Sequence, residues 1–490
     1  MMKKVYSRII LLLVSLALFH FVSFITYDSD NSNDYETSRK HYPYFLYPFS
    51  TINAYGSTTI EGNNNESFTD DTASGIRFEN VTNFTDNPND SVYGQVAASE
   101  NNVYVVWEES TTSDSSNDNY DIYIRKSADQ GETFTKNNNN SAMDTTEVIN
   151  LSNNPGFSEH PQIAAYKEKV HVAWIDDSLG DKEILFSRSI DNGTTFSEAI
   201  NVSNTTNTNS HNLEISAFEN DVYIVWLDED EEENGIILFK ASNDGGETFS
   251  NPITIAHNVN NNNGDFTLPK VATHGDSVYI AWNGADNTQG EEMITDLLYV
   301  KSSDQGNTFS PPIKLNNNGE KVGEAQLAAN NNTVYIVWGS SPYDEVTSNI
   351  FFVRSTDNGN TFSNPMEVTN DNFENPSNVE ITVVGNDSDG ERSSEQSLWS
   401  SSSPSSSQQG RKEPYVYIAS QVPLSDENEE IFVASSSDNG DTFSEVTFNL
   451  SNNSEFSECP SIATSENNIY VIWQDSTPGN NEVFFTKAKT

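Results

Sequence analysis

From about residue 75 onward the chain is built of short runs in which apolar and polar side chains alternate. One run, NNVYVVW, ends at Trp107. It recurs as KVHVAW at Trp174, DVYIVW at Trp226, SVYIAW at Trp282, TVYIVW at Trp338 and NIYVIW at Trp473, with a degenerate copy, PYVYIAS, ending at Ser420. A period of two in Val, Ile and Tyr marks a half-buried strand. Upstream of each copy lies another short strand: QVAAS, QIAAY, EISAF, KVATH, QLAAN, EITVV and SIATS. Its small residues suit a crowded centre where inner strands converge. Downstream lies a third: DIYIRKS, EILFSRS, IILFKAS, LLYVKS, IFFVRS, IFVASS and EVFFTKA. A fourth strand follows, such as EAINVS. Four strands per unit at intervals of roughly 50 to 60 residues predict an all-β fold, a seven-bladed β-propeller of four-stranded blades.

The seventh unit reaches Thr490 without a fourth strand. The stretch FENVTNFTDNPNDSVYGQVAAS, from Phe78, reads like SEAINVSNTTNTNSHNLEISAF, from Ser197. A strand near Ile76 to Thr82 is therefore expected to complete blade seven and remove the exposed edges that an open array would carry. Residues 75–490 form the expected propeller. Two insertions interrupt it: STTSDSSNDN, from Ser110, and a Ser-rich tract over 386–413 that reads as a loop. Residues 28–74 are rich in Ser, Asn, Asp and Thr and read as a polar stalk with little fixed structure. In residues 1–27, Lys3, Lys4 and Arg8 precede an apolar run from Ile9 to Tyr27, and Asp28 follows. This is the pattern of an export signal, either cleaved or kept as an anchor through residues 9–27, with the bulk of the chain outside.

Composition narrows the partners. Against 73 Asp and Glu stand 24 Lys and Arg, a formal net charge of -49. Such a field repels nucleic acid and anionic lipid and favours cations and solubility. The single cysteine, Cys459, allows no intrachain disulfide, so packing and closure must hold the fold. Asn-X-Ser/Thr sequons at Asn80, Asn150, Asn201, Asn331 and Asn449, among others, are acceptors for glycans in an exported chain.

Six of the seven third strands run into one phrase: SADQGETF from Ser127, SIDNGTTF from Ser189, SNDGGETF from Ser242, SSDQGNTF from Ser302, STDNGNTF from Ser355 and SSDNGDTF from Ser436. The pattern Ser-X-Asp-X-Gly-X-Thr-Phe resembles the Asp-box, or bacterial neuraminidase repeat, of the sialidase-like propeller superfamily. Physically, an Asp side chain accepts backbone N–H bonds across a tight turn and Gly supplies a positive φ. Asp129, Asp191, Asp244, Asp304, Asp357 and Asp438 are thus expected to build turns, and the resemblance places such boxes away from the active face. Sialidases of this fold clamp a carboxylate with three arginines, the natural fork for that group. The chain has eight arginines. Arg8 and Arg39 lie in leader and stalk, Arg392 and Arg411 in the Ser-rich tract, and Arg125, Arg188 and Arg354 at or next to the ends of third strands. Arg77, in IRFEN, only faintly echoes the family's arginine motif. No clamp can be assembled, which argues against sialidase activity.

The loops after the Trp strands and the loops between blades share the face opposite these turns. They carry acidic phrases such as WEES, WIDDS, WLDEDEEEN, NPGFSEHP and NSEFSECP. Glu159, His160, His211, Glu324, Glu458 and Cys459 are expected near the channel mouth, with Asp176, Asp228 and Asp475 further out. Oxygen-rich loops are compatible with calcium here or at the run Asp228 to Glu233, although no calcium-loop spacing is present and no cofactor is required. His160, His211 and Cys459 read as loop residues rather than a transition-metal set. The repeated Trp residues read as blade packing rather than a sugar-stacking array. Three functions stay open: a non-catalytic surface or secreted module binding a ligand, glycan or surface protein; a glycoside hydrolase of sialidase-like fold; and a structural envelope protein.

Overall fold

A computed structural model describes residues 76–111, 119–134, 148–230, 234–257, 268–285, 295–316, 320–342, 348–369, 375–384, 414–425, 428–444 and 448–489. All belong to one compact unit, Glu66–Thr490. The leader with its apolar run 9–27, the stalk 28–74 and the Ser-rich tract 386–413 lie outside the described residues, as do most of the insertion after Ser110 and Glu231 to Glu233 of the acidic run.

Every described element is a strand, and every strand pairing is antiparallel. Blade one is Ser91–Ser99, Asn102–Ser110, Tyr120–Ser127 and Ile149–Asn150, paired in that order. Blades two to six repeat the plan, with inner strands Ser158–Tyr166, Thr208–Phe218, Lys270–His274, Glu320–Asn330 and Ser377–Val384. Blade seven has Ser457–Ser465, Asn468–Asp475 and Glu482–Lys489. Each inner strand lies against those of two neighbouring blades, blade seven against blade one, so the ring is closed.

The N-terminal segment completes blade seven in two pieces, not one. Arg77–Phe78 and Thr82–Asn83 both pair with Glu482–Lys489, Phe78 opposite Ala488 and Thr82 opposite Phe485. Glu79 to Val81 lie between the two pieces, with Glu79 N still donating to Lys487 O at 2.8 Å.

The Trp strands are buried on both faces because each blade is sandwiched between two others. Trp107, Trp174, Trp226, Trp282, Trp338 and Trp473 are all fully buried, which makes them core and removes them as a stacking array. Seven apolar clusters fill the seven interfaces. Six of them contain the Phe that ends a Ser-X-Asp-X-Gly-X-Thr-Phe turn: Phe134, Phe196, Phe249, Phe309, Phe362 and Phe443. The seventh, between blades six and seven, holds Ile76 and Phe78 instead, with Phe78 edge-on to Phe448 at 5.5 Å.

Each turn is knit the same way. In the fourth one, Ser302 Oγ donates to Asp304 Oδ1 at 2.6 Å and accepts from Gly306 N at 2.9 Å. Thr308 N and Thr308 Oγ1 donate to the two oxygens of Asp304 at 2.9 and 2.7 Å. Those hydrogen bonds hold the Asp304 carboxyl at about 2, below the usual carboxylate range. The other five Asp residues make the equivalent bonds. Five turns are also gripped by a cation from the preceding blade: Lys487, Lys126, Arg188, Lys301 and Arg354 donate to carbonyls of the turns containing Gln130, Asn192, Gly245, Asn358 and Asn439 respectively.

Candidate functional site at the channel mouth

At the end of the strands away from these turns, six of the seven inner strands share an irregularity. The ladder skips between Val92 and Gln95, Glu159 and Gln162, His211 and Glu214, Val322 and Ala325, Ser377 and Glu380, and Glu458 and Ser461. Such bulges bend a strand and re-aim a side chain. In five blades the bulged residue is left-handed without being glycine: Tyr93, His160, Asn212, Asn378 and Cys459, with φ of 50, 51, 49, 46 and 50°. Asn and His are enriched in this region; Tyr and Cys there are strained.

These residues form one collar. The Tyr93 and His160 rings meet edge-on at 4.8 Å. Asn378 Nδ2 lies 3.8 Å from Cys459 Sγ. Burial and then Glu458, Glu324, Glu108 and Glu429 push the Cys459 thiol far up, which leaves the thiol un-ionised. Side chains next to the Trp positions brace the collar: Glu108 accepts from His160 N at 2.5 Å, and Gln421 Oε1 from Cys459 N at 3.1 Å.

Titratable groups crowd inside it. Glu108 is 2% exposed, and burial pushes its carboxyl well up. Glu159 is ion-paired to Lys182; burial acts to raise it, but His160 and Lys182 prevail and hold it down. His211, 3.9 Å from Glu229, is pushed down to about 4 by burial and then by Lys182. Deeper, each inner strand presents one polar residue opposite the position just before the Trp place: Gln95, Gln162, Glu214, Lys270, Gln326, Glu380 and Ser461. Lys270 Nζ lies 3.3 Å from Glu214 and 2.9 Å from Glu324. Gln326 Nε2 donates to Glu380 at 2.6 Å, and burial raises the Glu380 carboxyl to about 8 despite nearby Lys270.

Of the residues expected near the mouth, Glu159, His160, His211, Glu324, Glu458 and Cys459 belong to this set. Asp176, Asp228 and Asp475 are not displayed further out; they are buried inside their blades. Asp176 accepts from Trp174 Nε1, Ser158 and Asn154, and Asp475 from Trp473 Nε1, Ser457 and Asn453. Asp228 accepts from Ser210. They brace the blade tops. Glu108, Lys182, Glu214, Lys270, Glu380, Glu429 and Gln474 were not singled out from sequence. A polar residue at one fixed place relative to the Trp strand in all seven inner strands was the available signal.

The described arginines are engaged elsewhere. Arg125 donates to Phe84 O at 2.9 Å and lies over the Phe84 ring, Arg188 and Arg354 grip turns, and Arg77 is exposed on the closing strand. Among the described residues, no three His, Cys, Asp or Glu side chains are gathered as a metal ion requires, and no helix is long and apolar enough to cross a membrane.

No family model and no curated protein matches the chain. Many solved structures are similar to it, among them these three. The GH93 α-L-arabinofuranosidase of Fusarium graminearum, complexed with arabinobiose, is 12% identical, with a TM-score of 0.45 over 68% of this chain and 93% of that one. A Hadza microbial sialidase is 12% identical, with a TM-score of 0.43 over 76% and 73%. A Trypanosoma rangeli sialidase, complexed with 2,3-difluorosialic acid, is 9% identical, with a TM-score of 0.43 over 81% of this chain but 53% of its own.

Proposed function

We propose that the chain is an exported, non-catalytic β-propeller that binds a ligand, a glycan or a protein surface, at its channel mouth. The collar carries this reading. Left-handed conformations at Tyr93 and Cys459 cost of order 1–3 kcal/mol each, and strain of this kind collects where ligands are held. Variable loops on a rigid ring suit recognition. Export rests on the basic flank and apolar run of the first 27 residues. The non-catalytic part rests on the arginines, whose described members lie at turns or on the closing strand.

The test is a glycan and protein array probed with the full-length chain, alongside His160→Ala and Tyr93→Ala. Selective binding that both variants lose, at unchanged melting temperature, supports the reading. Absence of binding sinks it in favour of a structural envelope role. One observation favours the hydrolase alternative: neighbouring Glu108 and Glu159 have carboxyls pushed in opposite directions, the pattern of an acid and its partner base. Release of free sugar from a bound glycan, lost in Glu159→Gln, would decide for that alternative.

A further inference from the structure

One sequence phrase recurs on the fourth strands with one bonding pattern. Asn83-Phe84-Thr85, Asn150-Leu151-Ser152, Asn201-Val202-Ser203 and Asn449-Leu450-Ser451 each read as an N-glycan sequon, and each begins on the last residue of a fourth strand. In all four the Asn side-chain oxygen accepts from the backbone N–H three residues on, at 2.8 to 3.0 Å. The Ser or Thr hydroxyl donates to an acid near the start of the third strand: Glu482, Asp121, Glu183 and Glu430 in turn. It also accepts from the backbone N–H just after that acid. These sequons therefore pin the fourth strand to its blade, with side chains satisfying backbone groups at a turn. A glycan acceptor has to present both its amide and the hydroxyl two residues on, as a surface loop does. None of the four presents both.

Asn80-Val81-Thr82 differs at each point. Asn80 lies between the two pieces of the closing strand. It is exposed, and among the described residues its side chain has no hydrogen-bond partner. Thr82 is exposed too, its hydroxyl reaching only Phe485 O at a long 3.4 Å. Asn80 also lines a cavity of about 360 Å³, the size of a small ligand pocket. Phe134 and Phe485 supply apolar lining there, and Arg125, Glu132 and Thr133 supply polar lining.

We propose that Asn80 is an N-glycosylation site and that the first sugar of its glycan occupies this cavity. The amide nitrogen attacks the anomeric carbon of a lipid-diphosphate-linked oligosaccharide, both donor and transferase being supplied by the exporting cell. A C–N bond forms, the C–O bond to the lipid diphosphate breaks, the amide gives up one proton, and the lipid diphosphate leaves. A pyranose offers C–H groups to the phenylalanines and hydroxyls to Arg125, Glu132 and Thr133. Seated there, the glycan bridges the closing segment and the first turn, at the join of the ring's two ends. The inference rests on the reading of the chain as exported and names a modification that export permits.

The test is the full-length chain purified from its native cells, digested and sequenced by electron-transfer fragmentation, which separates Asn80 from Asn83. Asn80 is expected to carry glycan, and Asn83, Asn150, Asn201 and Asn449 to be bare. Thr82→Val should remove the glycan and Thr82→Ser should keep it; Asn80→Gln serves if Thr82→Val fails to fold. Amide exchange at Glu132 to Phe134 should be slower in the glycosylated chain than in Asn80→Gln, and equal exchange overturns the seating in the cavity. Glycan at Asn331 with Asn80 bare, glycan on any of the four pinned sequons, or an exported chain bare throughout overturns the inference and leaves the export reading standing. A chain found only inside the cell sinks the export reading, and the inference with it.

Discussion

Gly306 shows how tightly one turn residue is specified. Its φ is +79°, and a Cβ there would meet Phe239 Cζ of the preceding blade at 2.6 Å. Gly306→Ala therefore combines a conformation L residues avoid with overpacking at an interface, and should destabilise by about 2–4 kcal/mol, read by denaturant melting. Such residues were legible in sequence because the turn is local: Ser, Asp, Gly and Thr satisfy one another within seven positions. His171 was not. It holds the place that Tyr104, Tyr223, Tyr279, Tyr335, Tyr417 and Tyr470 hold in the other blades, stacked on Phe186 at 5.9 Å with neither ring nitrogen hydrogen-bonded. Burial, with lesser help from Lys169 and Arg188, pushes it down to about 3. The unfolded chain takes up this proton near pH 6.5 and the folded one only near 3, so the residue removes stability as pH falls through that window. Stability lost between pH 7 and pH 5 should shrink by about 2 kcal/mol in His171→Phe. An unchanged pH profile of unfolding in this variant would count against that account.

At the scale of elements, alternation predicted the strands and their order, because each strand's burial is set by its immediate sandwich. It also placed the closing strand near Ile76 to Thr82, from the likeness of the Phe78 and Ser197 stretches. What it did not expose is the packing role of that segment. Phe78 occupies the one interface cluster that lacks a turn phenylalanine, among Val433, Val471 and Trp473. Phe78→Ala should therefore cost about 3 kcal/mol or more, the range of buried Phe truncations. The neighbouring Arg77→Ala, on the exposed side of the same two-residue strand, should stay within about 0.5 kcal/mol. Equal effects from the two would mean that the segment holds the ring through its backbone ladder alone. The bulges were illegible for a related reason: nothing in SVYGQ or SEHPQ departs from alternation enough to announce a left-handed residue. Only register against the Trp strand reveals it.

At the scale of the molecule, the ring gathers what the sequence scatters. Glu214, Lys270, Glu324 and Glu380 lie on four different blades, and no local pattern joins them; seven-fold closure brings them into one channel. There Lys270 ties blade four to blades three and five, and it is the described cation among three carboxylates, of which burial raises Glu214 and Glu380. Lys270→Met keeps the aliphatic volume and removes the charge. Breaking a buried ion pair on one side costs about 3–5 kcal/mol. The sign of its pH dependence follows from the carboxylates left behind. Without the ammonium, the folded-state proton affinities of Glu214 and Glu380, which Lys270 now lowers, rise further above those of the unfolded chain, whose carboxyls titrate near 4.3. Stability is then fully present at low pH and is lost as pH rises through the raised folded values, Glu380 already standing at about 8. The penalty of Lys270→Met should therefore be small near pH 5 and large near pH 8. Glu380→Gln in the same background should remove part of that slope. A penalty equal at both pH values would mean that Lys270 acts through packing alone, and that the blades are held together by their apolar interfaces without help from the charges in the channel.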